Sequence, residues 1–229
     1  MKNQLQDIHK NQALPSEIRA YIHLKMNFPR MVQTADSHNP IIDLTPSTRI
    51  GIDESKFNSI YTTQRRSQWC WAACIEMVLK NFGLNVKQED FVEKIYGLDC
   101  TTNQLPNRSA QSPNDVTRNL NGKFITKNSK TYHIQSHTTK GALDTNSLIK
   151  NLKKEHPIIM FFLTPQGGRH VAIITGIDII DQPCGNKVLR NIHYRDPFPL
   201  PSGDINGKSV MSAKEFQKHT HFSITIDIA

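Results

Sequence analysis

The chain has 229 residues, enough to bury one sizeable core and leave an appendage over. Its net charge of +8 comes from basic residues scattered in pairs such as Arg65-Arg66 and Lys153-Lys154. No dense basic block interleaved with aromatics is present, which argues against a nucleic-acid partner. No apolar run approaches the length that crosses a bilayer, and Met1-Lys2-Asn3-Gln4-Leu5-Gln6 leads into no apolar signal region, so neither membrane insertion nor a Sec-type signal is expected.

Residues 1–45 are rich in Asn, Gln and His, with weak apolar periodicity. They read as an extension, linker or pro-segment holding one short amphipathic helix that starts near Pro15 or Ser16 and is ended by Pro29. Residues 46–229 read as the folded domain. A short strand is expected near Asn58-Ser59-Ile60-Tyr61, followed by a polar loop, Thr62 to Gln68. From Cys70 to Leu79 the apolar spacing is that of a helix greasy nearly all round, which belongs in a protein interior. Glu76 and Lys80, four apart, are expected to share one narrow outward stripe, and Gly83 to stop the helix.

A second helix is predicted over residues 87–97, with Phe91, Val92, Ile95 and Tyr96 inward and Gly97 as its cap. Residues 98–111 read as a loop. Ser112-Pro113 starts a short helix that ends at Asn121-Gly122. Residues 123–140 read as a polar excursion with a weak strand near Tyr132-His133-Ile134, and Asp144 opens a helix with Leu148, Ile149 and Leu152 inside. The continuous apolar run Ile158–Leu163 reads as a buried strand, and Val171–Ile177 as another with His170 at its head. Leu189–Arg195 is a third strand, ended by Asp196-Pro197; a short helix around Lys214-Glu215-Phe216 and a last strand over Phe222–Ile228 follow. Helices first and antiparallel strands later give an α+β fold.

Cys70 stands where a polar loop enters a buried helix. A helix N-terminus together with a histidine lowers the pKa of a thiol and makes it a nucleophile. The competing reading is a small core hydrophobe, which suits Cys74 one turn deeper. A glutamine, five residues, then Cys-Trp-Ala-Ala opening a helix resembles the active-site entry of papain-like cysteine peptidases. Within them it looks like the bacterial branch of AvrRpt2-type effector proteases and the C39-like peptidases of peptide exporters. The resemblance covers residues 55–229 and implies a papain-like fold, with a helical part packed on a C-terminal antiparallel sheet. It also implies a histidine and then an aspartate or asparagine in chain order.

His170 is the best base, because it starts a strand after Gly167-Gly168, where backbone can approach a substrate closely. His193, in mid-strand, is the fallback. Asp196 closes the next antiparallel strand, so it can lie beside the start of the His170 strand and orient the imidazole. Asp178 and Asp181 compete, but follow the far end of that strand. The resemblance carries the third catalytic residue onto Asp196 and the oxyanion donor onto Gln64; the alternative for Gln64 is a plain loop residue. The entry lacks the Cys-Gly-Ser-Cys-Trp of plant-type papains, and Asp196 stands where many have asparagine.

The expected function is a cysteine endopeptidase acting on a protein substrate. A compact catalytic domain with a polar front piece, and no ATPase or membrane segment beside it, fits a bacterial effector or toxin delivered by a specialised secretion system, with a cognate inhibitor or immunity protein as a further partner. The same triad also serves glutamine deamidases and transglutaminases, and a degenerate module would only bind. The four cysteines form no Cys-x-x-Cys unit, so no metal and no cofactor is expected; a Cys100–Cys184 disulfide stays open.

Overall fold

A computed structural model describes residues 46–110, 112–125, 131–164, 168–183, 185–198 and 203–228. The helix expected near Pro15 and the linker turns before residue 46 lie outside the described residues. In chain order the elements are β1 (Thr48–Gly51), α1 (Glu54–Ile60), α2 (Cys70–Asn81), α3 (Gln88–Tyr96), α4 (Pro113–Leu120), β2 (Gly122–Ile125), β3 (Thr131–Lys140), α5 (Thr145–Lys153), β4 (Ile158–Leu163), β5 (Arg169–Asp181), β6 (Lys187–Arg195), β7 (Lys208–Ser212), α6 (Ala213–His219) and β8 (Thr220–Ile228).

The strands form one antiparallel sheet in the order β2-β3-β8-β4-β5-β6-β7. β1 pairs with the later half of β5, Thr48 opposite Ile179 and Gly51 opposite Gly176. That pairing is close enough that a Cβ on Gly51 would stand 2.7 Å from the Thr175 carbonyl oxygen, so only glycine fits there. The fold class is α+β, as the order of apolar patterns implies.

α2 is the centre of the core. Its ten residues from Cys70 to Leu79 are all buried, Trp71 and Ile75 completely, and it packs across β5. Gly83, at φ +80°, turns the chain out of the helix, because the left-handed region excludes most side chains. Glu76 departs from expectation. It is not on an outward stripe but 2% exposed, held by Lys80 Nζ at 2.8 Å and by Arg65 Nη2 at 3.7 Å. A carboxylate so placed needs its cations, since an unpaired buried charge costs several kcal/mol.

Three other expectations are corrected. Residues 54–60 are helical rather than extended, because Asp53 accepts the Lys56 N–H as an N-cap and Phe57 is the buried residue. The polar excursion over 123–140 contains two strands, of which β3 runs ten residues with only Ile134 buried. β7 and the turn at Asn206-Gly207 that precedes it carried no strand expectation. Cys100 is an exposed free thiol, and Cys184 lies outside the described residues.

Candidate active site

The N-terminus of α2, the head of β5 and the end of β6 meet at one place. Cys70 is the first residue of α2, and its thiol lies near enough to the His170 imidazole to favour its protonation. His170 is the second residue of β5, not the first, because Arg169 already pairs with Leu163. β5 and β6 are antiparallel neighbours, with Ile173 opposite Arg195, so the residue after Arg195 returns beside the head of β5. His170 Nε2 and Asp196 Oδ1 are 2.8 Å apart, which leaves Nδ1 for the sulfur. Asp196 Oδ1 also accepts the Phe198 N–H at 2.7 Å, so the carboxylate is fixed from two sides. The Phe162 ring of β4 meets the imidazole edge-on, with centroids 5.5 Å apart.

The electrostatics favour a charged imidazole. Burial of His170 opposes protonation. The Asp196 charge and its hydrogen bond, with a further bond from Cys70, overcome that and raise the imidazole to about 9. Cys74, also buried, has its thiol pushed well above the usual thiol range, first by burial and then by the neighbouring Cys70 and Asp196. Of the two thiols on α2, only Cys70 meets a base.

Gln64 lies in the loop before α2 and is 9% exposed. Its backbone N–H donates to the Pro197 carbonyl at 2.7 Å, next to Asp196. Its amide Nε2 donates to the carbonyls of Arg66, at 3.0 Å, and Ser67, at 2.7 Å, while Oε1 is buried without a partner. The side chain therefore sits at the mouth of α2 with both amide hydrogens engaged by its own loop. Gln68, the nearer glutamine, is exposed and uses its N–H on Asn107 Oδ1. The stretch 105–109 lies along this loop: Leu105 O accepts from Arg66, Pro106 O from Trp69 Nε1, and Arg108 O from Trp71 Nε1.

The competing residues are elsewhere. His193 Nε2 lies 2.7 Å from Asp178 Oδ2, and Asp178 also accepts from Arg49 at 2.6 Å and Asn191 at 3.1 Å. This second His–Asp pair joins β5, β6 and β1 and has no thiol among its partners. Asp181, at the far end of β5, bonds Lys187 across the turn. The sequence reasoning missed the supports of Asp196. Tyr61 Oη donates to its carbonyl oxygen at 2.7 Å, and its N–H donates to Gly207 O at 2.8 Å. Gly207, at φ +64°, is so close that an added Cβ would overlap that same carbonyl oxygen. The Asn206-Gly207 pair was the available signal, since it is a strong turn dipeptide.

Among the described residues no group of three or more His, Cys, Asp or Glu side chains is disposed to hold a metal ion, and no helix is long and apolar enough to cross a membrane.

No curated protein matches the chain. Several solved structures are similar to it, two of them as follows. One is the peptidase domain of Streptococcus ComA, a bifunctional ABC transporter involved in a quorum-sensing pathway: 14% identity, 72% of this chain and 96% of that one, TM-score 0.44. The other is a double glycine motif protease from an AMS/PCAT transporter in complex with the leader peptide: 14% identity, 72% of this chain and 89% of that one, TM-score 0.42. The model of the Peptidase_C39 like family matches residues 56–219, which include Gln64, Cys70, His170 and Asp196. The chain belongs to this family and is a papain-like cysteine protease, a hydrolase.

Proposed function

We propose that residues 46–229 form the catalytic domain of an endopeptidase that cleaves a protein or peptide target through Cys70, His170 and Asp196. The observation that carries this reading is the meeting of Cys70, at the mouth of a buried helix, with the bonded pair His170–Asp196. The Cys70 thiolate attacks the scissile carbonyl, and the C–S bond forms as the carbonyl π electrons move onto oxygen. The α2 N-terminus, with the Cys70 N–H and the Gln64 amide, holds the resulting oxyanion. The His170 imidazolium gives its proton to the leaving amine as the C–N bond breaks. It then accepts a proton from the water that hydrolyses the thioester. Asp196 holds the imidazole orientation and stabilises its positive charge.

The finer reading is a delivered bacterial effector or toxin, with residues 1–45 as its extension and an immunity protein as its inhibitor. The motif likeness to AvrRpt2-type proteases supports it. The net charge of +8 suits an acidic protein target. The test is to map new protein N-termini in cells expressing the native chain beside cells expressing Cys70→Ala. Cleavages present only with the native chain are expected; an identical set in both ends the proposal.

A further inference from the structure

The side chain of Gln88, the first residue of α3, is fully buried and makes its two hydrogen bonds on either side of Gln64. Its Nε2 donates to the Thr63 carbonyl at 2.9 Å, and its Oε1 accepts the Arg65 N–H at 3.0 Å. The Thr63 carbonyl belongs to the peptide plane before the Gln64 Cα, and the Arg65 N–H to the plane after it. The first plane is bonded a second time, where the Gln64 N–H donates to Pro197 O. Three bonds therefore fix both planes, which sets φ and ψ of Gln64 and the direction in which its side chain leaves the backbone.

The rest of this loop is anchored by α3, by α2 and by Asn107. The Arg65 guanidinium reaches Glu89 of α3 and Glu76 of α2. Beyond it, Asn107 Nδ2 donates to Ser67 Oγ at 2.8 Å, and Asn107 Oδ1 accepts the Gln68 N–H at 3.0 Å. Among these contacts the Gln88 bracket alone acts on both peptide planes of Gln64. A buried glutamine that served only packing needs its amide satisfied somewhere, not on the two peptides flanking one residue.

We propose that Gln88 is a positioning residue for the oxyanion site, acting through Gln64; this rests on the oxyanion role proposed for Gln64 above. In the resting structure the Gln64 amide hydrogens sit on the Arg66 and Ser67 carbonyls. A carbonyl oxygen gaining negative charge is a stronger acceptor than either, so one N–H redirects its hydrogen bond to it as charge develops. That exchange is a small side-chain rotation only while the backbone stays put. Without Gln88 the first plane keeps only its Pro197 bond and the second loses its bond from Gln88, so the amide swings away and the charge develops without its donor.

The experiment compares two reactions of the full chain. Acylation by N-carbobenzoxyglycine p-nitrophenyl ester, read as the burst of p-nitrophenol, passes through an oxyanion. Alkylation of Cys70 by iodoacetamide, read by peptide mass spectrometry, does not. Gln88→Met is expected to slow acylation about tenfold or more, short of the roughly 10²–10³ of losing a donor outright. Alkylation is expected to stay within about twofold of the parent. Gln64→Ala shows the same selective loss, and the double variant is no slower than Gln64→Ala alone, as residues acting as one unit behave. Equal slowing of both reactions by Gln88→Met, slowing of neither, or effects that multiply in the double variant overturn the proposal. Gln64→Ala acylating at the parental rate sinks the oxyanion reading itself; Gln64→Ala slow beside Gln88→Met at the parental rate sinks only this inference. Should Gln88→Met not fold, Gln88→Asn, too short to reach both planes, serves in its place with the same expected and overturning results.

Discussion

Replacing Asp196 by Asn tests the electrostatics of the site most directly. Asn keeps the shape and an oxygen for the Phe198 N–H, and removes only the charge beside His170. In the parent, burial disfavours the imidazolium, and Asp196 with Cys70 outweighs burial to raise the group from 6.5 to about 9. That rise corresponds to roughly 3 kcal/mol in favour of the charged ring. With the charge gone, the largest influence left is burial, so the group should titrate at or below 6.5. At pH 8 the imidazolium fraction then falls about thirtyfold, and acid-assisted departure of an amine falls with it. The linkage has a definite sign. A raised imidazole stabilises the fold fully below the unfolded value near 6.5, and the contribution disappears as pH rises through about 9. Asp196→Asn should remove that contribution, so the stability gap between parent and variant narrows from pH 6 to pH 10. The assay is a histidine-ring nitrogen–proton NMR titration of both proteins, with His170→Gln used to assign the resonance. A His170 resonance that titrates near 6.5 in the parent, or stays near 9 in the variant, refutes the reasoning.

Gly207→Ala should displace the Asp196 backbone, because its Cβ overlaps that carbonyl and stands 2.5 Å from the Tyr61 hydroxyl at a φ of +64°. A loss of about 2–4 kcal/mol in denaturant unfolding is expected, together with reduced acylation. Tyr61→Phe removes one hydrogen bond to the same oxygen and should cost about 1 kcal/mol. Asp178→Asn should lower stability by about 1–3 kcal/mol and leave ester acylation unchanged, since its partners Arg49, Asn191 and His193 lie outside the site. Burial raises the Asp178 pKa, but its bonds from His193, Asn191 and Arg49 outweigh that and hold it below 3.8. Its contribution is therefore present above pH 3.8 and lost as pH falls through the lowered value, which acid unfolding of parent and variant will show. Under brief iodoacetamide treatment Cys70 should be modified before exposed Cys100, with Cys74 last; modification of Cys74 before Cys70 would count against the assignment of the nucleophile.

The sequence was most legible where one physical demand dominated. α2 and the strands β4 and β5 announce themselves through long apolar runs, because they are covered on both faces. Asp196 was legible through topology: an antiparallel neighbour returns to where its partner began. β3 was hidden because only Ile134 of its ten residues is buried, so it shows little alternation. α1 was misread because one buried residue, Phe57, does not make a period. Gln88 and Tyr61 gave no local signal at all. Their partners are 23–25 and 135 residues away, and a hydrogen bond to a backbone atom leaves no mark on the partner's identity.

The β5–β6 hairpin carries two irregularities. Thr175 is an extra residue on one strand and Arg190 an extra residue on the other, so they cancel by the time the strands reach His170 and Asp196. The geometry at the head of the hairpin is thus set by the ladder and not by how many residues separate His170 from Asp196 along the chain. Adding a matched pair of residues beyond Asp181 and Lys187 lengthens the arm and leaves the site untouched. Deleting Thr175 alone straightens the ladder at that point and keeps Ile174 opposite Tyr194, so His170 keeps its place beside Asp196.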